Sequence, residues 1–124
     1  MISTRNFNLI TDPKLACCCF HPKCDEPVVS QEILDRVQLI RTRLNRSLTI
    51  NSGGRCKYHP DEIHRTTPAD HQKRQALDIS VSGGVERAEI VVLAIEYGFN
   101  AIGVARNFVH VGYREGEPLV MWVY

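Results

Sequence analysis

The sequence predicts an α+β fold, in which an antiparallel sheet and two main helices form a single compact domain. The chain has 124 residues, the size of one domain that buries about two-thirds of its unfolded surface. Patterns typical of helix, strand, polar loop, strand and helix are followed by a run of strands. We therefore expect residues 1–124 to form one domain, with residues 1–29 as a cysteine-containing leading segment.

The charge balance and the hydropathy pattern exclude some partners. Lys and Arg number 15 against 14 Asp and Glu, a net charge of +1, without the basic excess typical of nucleic-acid binding. The longest apolar run, Ile90–Ile95, is far shorter than the roughly 20 residues of a membrane-spanning helix. The N-terminus lacks the apolar core of a signal peptide, so we expect synthesis in the cytoplasm. We predict a monomer that binds neither nucleic acid nor membranes.

The first helix is predicted to run from Gln31 to about Asn45. Its apolar side chains recur at three- and four-residue intervals, which places them on one helical face; they are Ile33, Leu34, Val37, Ile40 and Leu44. Ser30 precedes the first turn and is a suitable N-cap. This helix should pack its apolar face on the core and expose its charges.

A long polar loop separates the first two predicted strands. The first strand, Leu48–Ile50, leads into a Ser-Gly-Gly turn, and the second, Ala76–Val81, alternates apolar and polar residues. The loop, from Arg55 to about Lys73, has neither helical nor strand periodicity. Compact domains rarely contain so long an irregular loop unless it binds something.

The second helix is predicted over about Val85–Tyr97, with Gly98 as its C-terminal cap. Because its apolar residues surround almost the whole helix, we expect it to be more buried than the first. Three apolar stretches follow and predict strands: Ala101–Ala105, Phe108–Tyr113 and Leu119–Val123. We expect these to be antiparallel, with residues 115–118 joining the last two as a hairpin.

Two histidines and one aspartate form a candidate metal site. His71 leaves the long loop, Asp78 lies between Leu77 and Ile79 in a strand, and His110 lies inside another apolar strand. A polar side chain in such a strand needs a partner if it faces the core, and one shared cation would satisfy both Asp78 and His110. Two imidazoles and a carboxylate are a ligand set of catalytic zinc with an open fourth position. Taken singly, each is more commonly a surface or hydrogen-bonded residue.

Four segments resemble a known family: Asn51–Cys56, Pro68–Ile79, Gly98–Val104 and Phe108–Val111. They are similar to the SGYR-like, SxHxxGxAxD, GIGxY and FxHxD-like motifs of D-alanyl-D-alanine carboxypeptidases and phage L-alanyl-D-glutamate endolysins. The resemblance extends from about Ser30 to about Arg114, with the order and spacing of the motifs intact. It implies the zinc peptidase fold shared with Hedgehog signalling domains.

The resemblance also implies roles for individual residues. It makes His71, Asp78 and His110 the ligands of a catalytic Zn²⁺ ion. It makes Arg55 a catalytic residue beside the metal that holds a carbonyl or carboxylate of the substrate. A guanidinium suits this role because it stays charged and can bind a carboxylate through two hydrogen bonds. The alternative for Arg55 is a solvated loop residue.

The sequence departs from the family pattern at several positions. Ala69 replaces the usual Ser, Arg74 the usual Gly, and Gly54 the usual Tyr. Family members carry an acid three residues before or two residues after the last histidine, where this chain has Asn107 and Gly112. Neither transfers a proton, so the general base is not identified and weak activity is expected unless another acid serves.

Other acids lie within reach in the sequence. Each of them is more commonly a hydrated surface carboxylate; they are Asp61, Glu62, Asp70, Glu115 and Glu117.

The cysteines predict no disulfide framework, since their number is odd and no export signal is evident. Four of the five lie close together in the leading segment, namely Cys17, Cys18, Cys19 and Cys24, and the fifth is Cys56. Cys19, His21 and Cys24 have a spacing that structural zinc could use, with Cys17 or Cys56 as fourth ligand. The alternatives are one or two disulfides in an oxidising medium, or small buried hydrophobes.

Three functions remain open at this point. The first is a zinc metallopeptidase that cleaves the peptidoglycan stem peptide, of D,D-carboxypeptidase or L-alanyl-D-glutamate endopeptidase type, acting on the cell wall as a phage or prophage lysin. The second is a catalytically impaired zinc-containing module of the same fold that binds wall peptide or a protein partner. The third is a structural protein with a relict site.

Overall fold

Two α-helices, one short 3₁₀-helix (Pro13–Leu15) and five strands make up the regular structure of residues 1–124 in the computed structural model. The helices are α1 (Gln31–Leu44) and α2 (Gly83–Glu96). The strands are β1 (Ile50–Ser52), β2 (Ala76–Ser80), β3 (Ala101–Val104), β4 (Phe108–Gly112) and β5 (Val120–Val123). The predicted α+β class and both main helices are confirmed. No helix has the length and apolar character needed to cross a membrane.

The strands form one mixed sheet in the order β1-β2-β4-β3-β5. The pairs β1–β2, β2–β4 and β3–β4 are antiparallel, whereas β5 runs parallel to β3. The prediction of an antiparallel sheet is therefore wrong at its last strand, and the expected hairpin between β4 and β5 does not form. The hairpin partner of β4 is β3.

Asn100 provides the physical reason for the parallel strand. Its side-chain amide donates to the carbonyls of Arg114 and Glu117, and its side-chain oxygen accepts from the Arg114 amide. These bonds hold the connection after β4 against the start of β3. The Val120 amide then donates to the Asn100 carbonyl, so β5 begins beside β3 and follows it in the same direction.

The first helix matches its predicted span. The Ser30 hydroxyl accepts from the Ile33 amide at 3.4 Å and caps the first turn, and Asn45 ends the helix in the left-handed conformation. Its buried face consists of Ile33, Leu34, Val37 and Ile40.

The second helix begins at Gly83, two residues before its predicted start, and Gly98 follows its end with φ +91°. The expectation that it is the more buried helix is wrong. It buries Ile90, Leu93 and Ala94, whereas Val85 and Val92 are exposed. One face of the helix packs on the core, and its remaining apolar residues face solvent.

The two faces of the sheet have different roles. Apolar residues that alternate along the central strands join both helices in one cluster of 18 buried residues; they include Leu77, Ile79, Ile102, Val109 and Val111. Because side chains alternate across a strand, the residues between them point to the opposite face. Asp78 and His110 are two of those residues.

Arg74 occupies a strained backbone position just before β2. Its φ is +63°, in the left-handed region that favours glycine. Its carbonyl accepts from the Ser30 amide, its amide donates to the His71 carbonyl, and its guanidinium donates to the Val28 carbonyl. Side-chain and main-chain contacts therefore hold an arginine in the conformation of a glycine.

We predict that Arg74→Gly is more stable than Arg74→Ala by about 1 kcal/mol, because only glycine removes the left-handed strain. Both variants lose the guanidinium contact with Val28, so the comparison isolates the backbone term. Chemical denaturation of both variants and the wild type measures the difference. An alanine variant as stable as the glycine variant would contradict the left-handed backbone at this position.

Candidate metal centre

One row of residues crosses the sheet and defines its polar face. Asp78 in β2 is paired with His110 in β4, His110 with Gly103 in β3, and Gly103 with Trp122 in β5. Residues in register on adjacent strands project to the same side of the sheet. The sheet therefore places a carboxylate, an imidazole and an indole together on the face away from the helices.

His71 approaches this row from the long loop. Its Nδ1 donates to the Gly53 carbonyl at 2.7 Å, and its Nε2 lies 3.3 Å from Asp78 Oδ1. The first contact holds a proton on Nδ1, which is the arrangement that allows Nε2 to bind a metal ion. Gly53 itself is held closely, since a Cβ there would lie 2.5 Å from the Leu15 carbonyl oxygen.

His110 contacts a carboxylate through each of its two ring nitrogens. Its Nδ1 lies 3.2 Å from Asp78 Oδ1, and its Nε2 lies 3.0 Å from Asp70 Oδ2. Arg114 donates to both oxygens of Asp70, at 2.9 and 3.0 Å. Asp70, itself held by Arg114, thus fixes the orientation of the His110 imidazole through Nε2, the nitrogen that does not contact Asp78.

The donor set fits a zinc ion. The three ligand atoms of His71, Asp78 and His110 lie within 4.8 Å of one another, and none of the residues is more than 6% exposed. Two imidazoles and a carboxylate match catalytic zinc, and each imidazole has the oxygen partner on its second nitrogen that is typical of metal-bound histidine. The structure brings together the three residues predicted from the sequence, and their binding of zinc stays a prediction.

The charges of the site also favour a cation. Burial opposes the ionisation of Asp78, but hydrogen bonds from His110 and His71 outweigh it and hold the pKa of this carboxyl well below its usual range. For Asp70, burial is likewise outweighed by His110 and Arg114, which lower the pKa. Burial lowers the pKa of His110, yet its two carboxylate partners raise it overall. A metal ion at this centre would therefore compete with a proton for His110.

Arg55 lies directly beside this centre. Its Nε donates to Ser52 Oγ at 3.0 Å, one terminal nitrogen to Glu62 at 3.1 Å, and the other to Asp78 Oδ2 at 3.3 Å. The guanidinium thus holds the oxygen of Asp78 that does not face the imidazoles. Its expected contact with substrate stays a prediction.

A model of the family described as Peptidase M15 matches residues 9–112 of the chain. The chain belongs to the peptidase M15 family. No curated protein matches the chain. Membership supports a hydrolase of the metallopeptidase class, in which zinc is the typical cofactor. The matched span of the M15 domain contains Arg55 and the three candidate ligands, and it ends at the last residue of β4.

A cleft of about 490 Å³ opens over the M15 metal centre. Its aromatic wall comes from Phe108, Trp122 and Tyr124. The Trp122 ring lies 5.1 Å from the His110 ring, and a Cβ on Gly103 would lie 2.7 Å from the indole. Sequence reasoning missed Trp122, in the last strand, and Tyr124, directly after it, although a two-residue spacing is the signal that places side chains on one face of an extended chain. Both lie beyond the span of the family match.

Three of the five alternative acids of the M15 domain line this cleft: Asp61, Glu62 and Asp70. Glu115 and Glu117 line a separate groove on the far side of Arg114 instead. Glu62 is buried against Arg55 and Arg65, and Asp70 is engaged by His110 and Arg114, whereas the side chain of Asp61 is 67% exposed.

Neither of the two family positions for the acid carries a carboxylate in this chain, and the two positions have different surroundings. Asn107 is exposed and lies outside the lining of the cleft. A Cβ on Gly112 would lie 3.1 Å from His110 Nε2, the nitrogen that Asp70 contacts. In this M15 domain the loop therefore delivers a carboxylate to the side of His110 that an acid at position 112 would approach.

We predict that Asp70→Asn lowers zinc affinity at this centre by about 10- to 100-fold, because the charged partner of a metal-bound histidine is lost. Glu115→Gln serves as the matched control, since it removes a nearby carboxylate that does not contact His110. Competition with a chromogenic chelator measures both affinities. Equal affinities in the two variants would show that Asp70 does not tune the ligand.

Proposed function

We propose that this chain is a zinc-dependent peptidase that hydrolyses the stem peptide of peptidoglycan. D,D-carboxypeptidase and L-alanyl-D-glutamate endopeptidase activities are the two types that the sequence motifs favour, and a phage or prophage lysin acting on the cell wall is the proposed role. One observation carries the proposal: three buried zinc-type donors converge at the base of an open cleft.

Each side chain at the centre has a defined task in this proposal. His71, Asp78 and His110 hold the zinc ion, which supplies a Lewis acid that polarises a carbonyl and acidifies water. Gly53 and Asp70 orient the two imidazoles through their second nitrogens. Because these contacts already direct both imidazoles toward Asp78, the ligands need little rearrangement to receive the metal.

Arg55 is proposed to hold the substrate. A guanidinium has five N–H donors, and the contacts with Ser52, Glu62 and Asp78 use one on each nitrogen. Two N–H groups, one on each terminal nitrogen, remain for a carbonyl or carboxylate in the cleft. The aromatic wall of Trp122 lies beside His110 and provides an apolar surface for the peptide.

Asp61 is proposed to carry the proton that hydrolysis requires. It lines the cleft, and its carboxylate lies 3.9 Å from Arg55. Because the side chain is largely exposed, it can exchange protons with solvent, whereas Glu62 and Asp70 are each fixed by cationic partners. Proton transfer of this kind contributes about 10²- to 10⁴-fold to a rate.

A second function is favoured by the residues at the family acid positions. With Asn107 and Gly112 there, the domain could bind wall peptide or a protein partner through the same zinc-containing cleft without cleaving it. This alternative predicts peptide binding by the zinc-loaded protein with no turnover.

Removal of the metal should abolish hydrolysis. We predict that the wild type releases products from purified muropeptides, detected by mass spectrometry, and that His71→Ala, Asp78→Ala and His110→Ala each lose one equivalent of zinc and all turnover. Chelation followed by zinc addition should restore the wild type. Asp61→Asn should keep its zinc and lose most of the rate.

The outcomes separate the functions. Zinc and stem-peptide binding without product would support the binding module and overturn the peptidase. A wild type that takes up no zinc at this centre would overturn both.

The role of Arg55 has its own test. We predict that Arg55→Ala lowers kcat/KM by about tenfold or more for a peptide with a free C-terminal carboxylate, and less for the same peptide as an amide, because the guanidinium binds the carboxylate. Zinc content should remain that of the wild type. Equal losses on the two peptides, or loss of zinc, would show that Arg55 supports Asp78 and not the substrate.

A further inference from the structure

The part of the leading segment that follows Cys17 lacks an apolar anchor. Residues 18–26 contribute no side chain to the hydrophobic core, and Phe20 is 94% exposed. The backbone there is left-handed at Phe20 and Glu26, and residues 18–26 form neither helix nor strand. A short segment without its own core usually needs a covalent or metal link to hold one conformation.

Four thiols converge beneath this segment. Cys17 Sγ lies 3.7 Å from Cys56 Sγ, and Cys19 Sγ lies 3.5 Å from it. With Cys24, all four sulfur atoms lie within 4.8 Å of one another. Zinc–sulfur bonds of about 2.3 Å place the sulfur atoms of a tetrahedral site about 3.8 Å apart. The cluster therefore has the dimensions of a four-cysteine zinc site.

We propose that Cys17, Cys19, Cys24 and Cys56 bind a structural zinc ion, separate from the metal centre in the cleft. Four protein ligands close the coordination sphere, which is the mark of a structural and not a catalytic ion. Each thiol loses its proton when it binds, so zinc uptake releases protons to the solvent. The Glu26 amide already donates to Cys24 Sγ at 3.3 Å, a contact that stabilises a thiolate.

His21 is not a ligand in this arrangement, although its spacing made it a candidate. Its Nδ1 accepts from the Lys23 amide, and its ring stacks on Tyr58 with centroids 4.3 Å apart. The place that the sequence offered to His21 is taken by a cysteine, because both Cys17 and the sequence-distant Cys56 join Cys19 and Cys24. Cys17 and Cys56, each offered by the sequence as a possible fourth ligand, are both present.

The proposed ion would tie the leading segment to the backbone that supports the cleft. Cys56 follows Arg55, which contacts Asp78. Gly53 and Gly54 lie so close to the leading segment that a Cβ on either would collide with its backbone, at 2.5 and 2.3 Å. The same stretch carries the Gly53 carbonyl that orients His71. We therefore expect the zinc–thiolate cluster to stabilise the stretch that positions Arg55 and His71.

Cys18 provides a matched control within the same tripeptide. It is exposed, and its Sγ lies 3.4 Å from the carbonyls of Pro13 and Ala16, outside the cluster. Cys18→Ser therefore removes a thiol from the same turn without removing a proposed ligand.

Cobalt substitution tests the proposal without reference to catalysis. The full-length His71→Ala/His110→Ala variant, reduced and metal-free, is titrated with Co²⁺. We expect one equivalent to bind with intense thiolate-to-cobalt charge-transfer absorption and the visible bands of a tetrahedral ion. Adding Cys56→Ser should remove this spectrum, whereas adding Cys18→Ser should leave it unchanged. Since only thiolates give this absorption, the reduced wild type should show it too.

Thiol accessibility in the wild type gives a second measurement. In the zinc-loaded protein one thiol, Cys18, should react quickly with a thiol reagent, and all five should react after chelation and unfolding. Reduced protein that binds Co²⁺ without charge-transfer absorption would overturn the proposal. So would a purified chain lighter by two hydrogens per bridge and free of metal at the cluster, which would show disulfides instead.

Discussion

A carboxylate buried in the middle of an apolar strand is the constraint on which the rest of the structure depends. Asp78 lies between Leu77 and Ile79 and is only 6% exposed. A buried anion is strongly unfavourable unless cations or hydrogen bonds surround it. His71, His110 and Arg55 meet this need from three directions. The loop, the neighbouring strand and the turn after β1 each contribute one side chain to this charge. The same geometry places two imidazole nitrogens and a carboxylate oxygen around a common point.

Support for the histidines comes from chain segments distant in sequence. The Gly53 carbonyl fixes His71, and Asp70, held by Arg114, fixes His110. An acid two residues after His110 would approach the same nitrogen, but Gly112 leaves that side open and the loop fills it. The chain thus keeps a carboxylate on this imidazole from a different position, so the three candidate ligands converge although the family motif is broken.

The leading segment and the cleft share one strip of backbone. Glycines at 53 and 54 let residues near Leu15 and Pro27 approach more closely than any side chain would allow. Cys56 then places a fourth thiol among those of the leading segment, next to the arginine that holds Asp78. Two candidate metal sites therefore lie on either side of a few residues, one built from hard and borderline donors in the sheet and one from thiolates. Disturbing either is expected to affect that shared stretch.

Local patterns in the sequence determined the helix of residues 31–44 and the existence of each strand, because periodicity and capping are short-range signals. They also singled out Asp78 and His110 as polar residues in apolar strands, and the family motifs added His71 as the third candidate ligand. Tertiary structure alone decided the parallel direction of β5, which depends on the Asn100 side chain holding a crossing loop. It also decided the exposed outer face of α2, the aromatic wall of Trp122 and the contact of Asp70 with His110. Each of these depends on which distant segment lies alongside, and residue spacing carries no record of that.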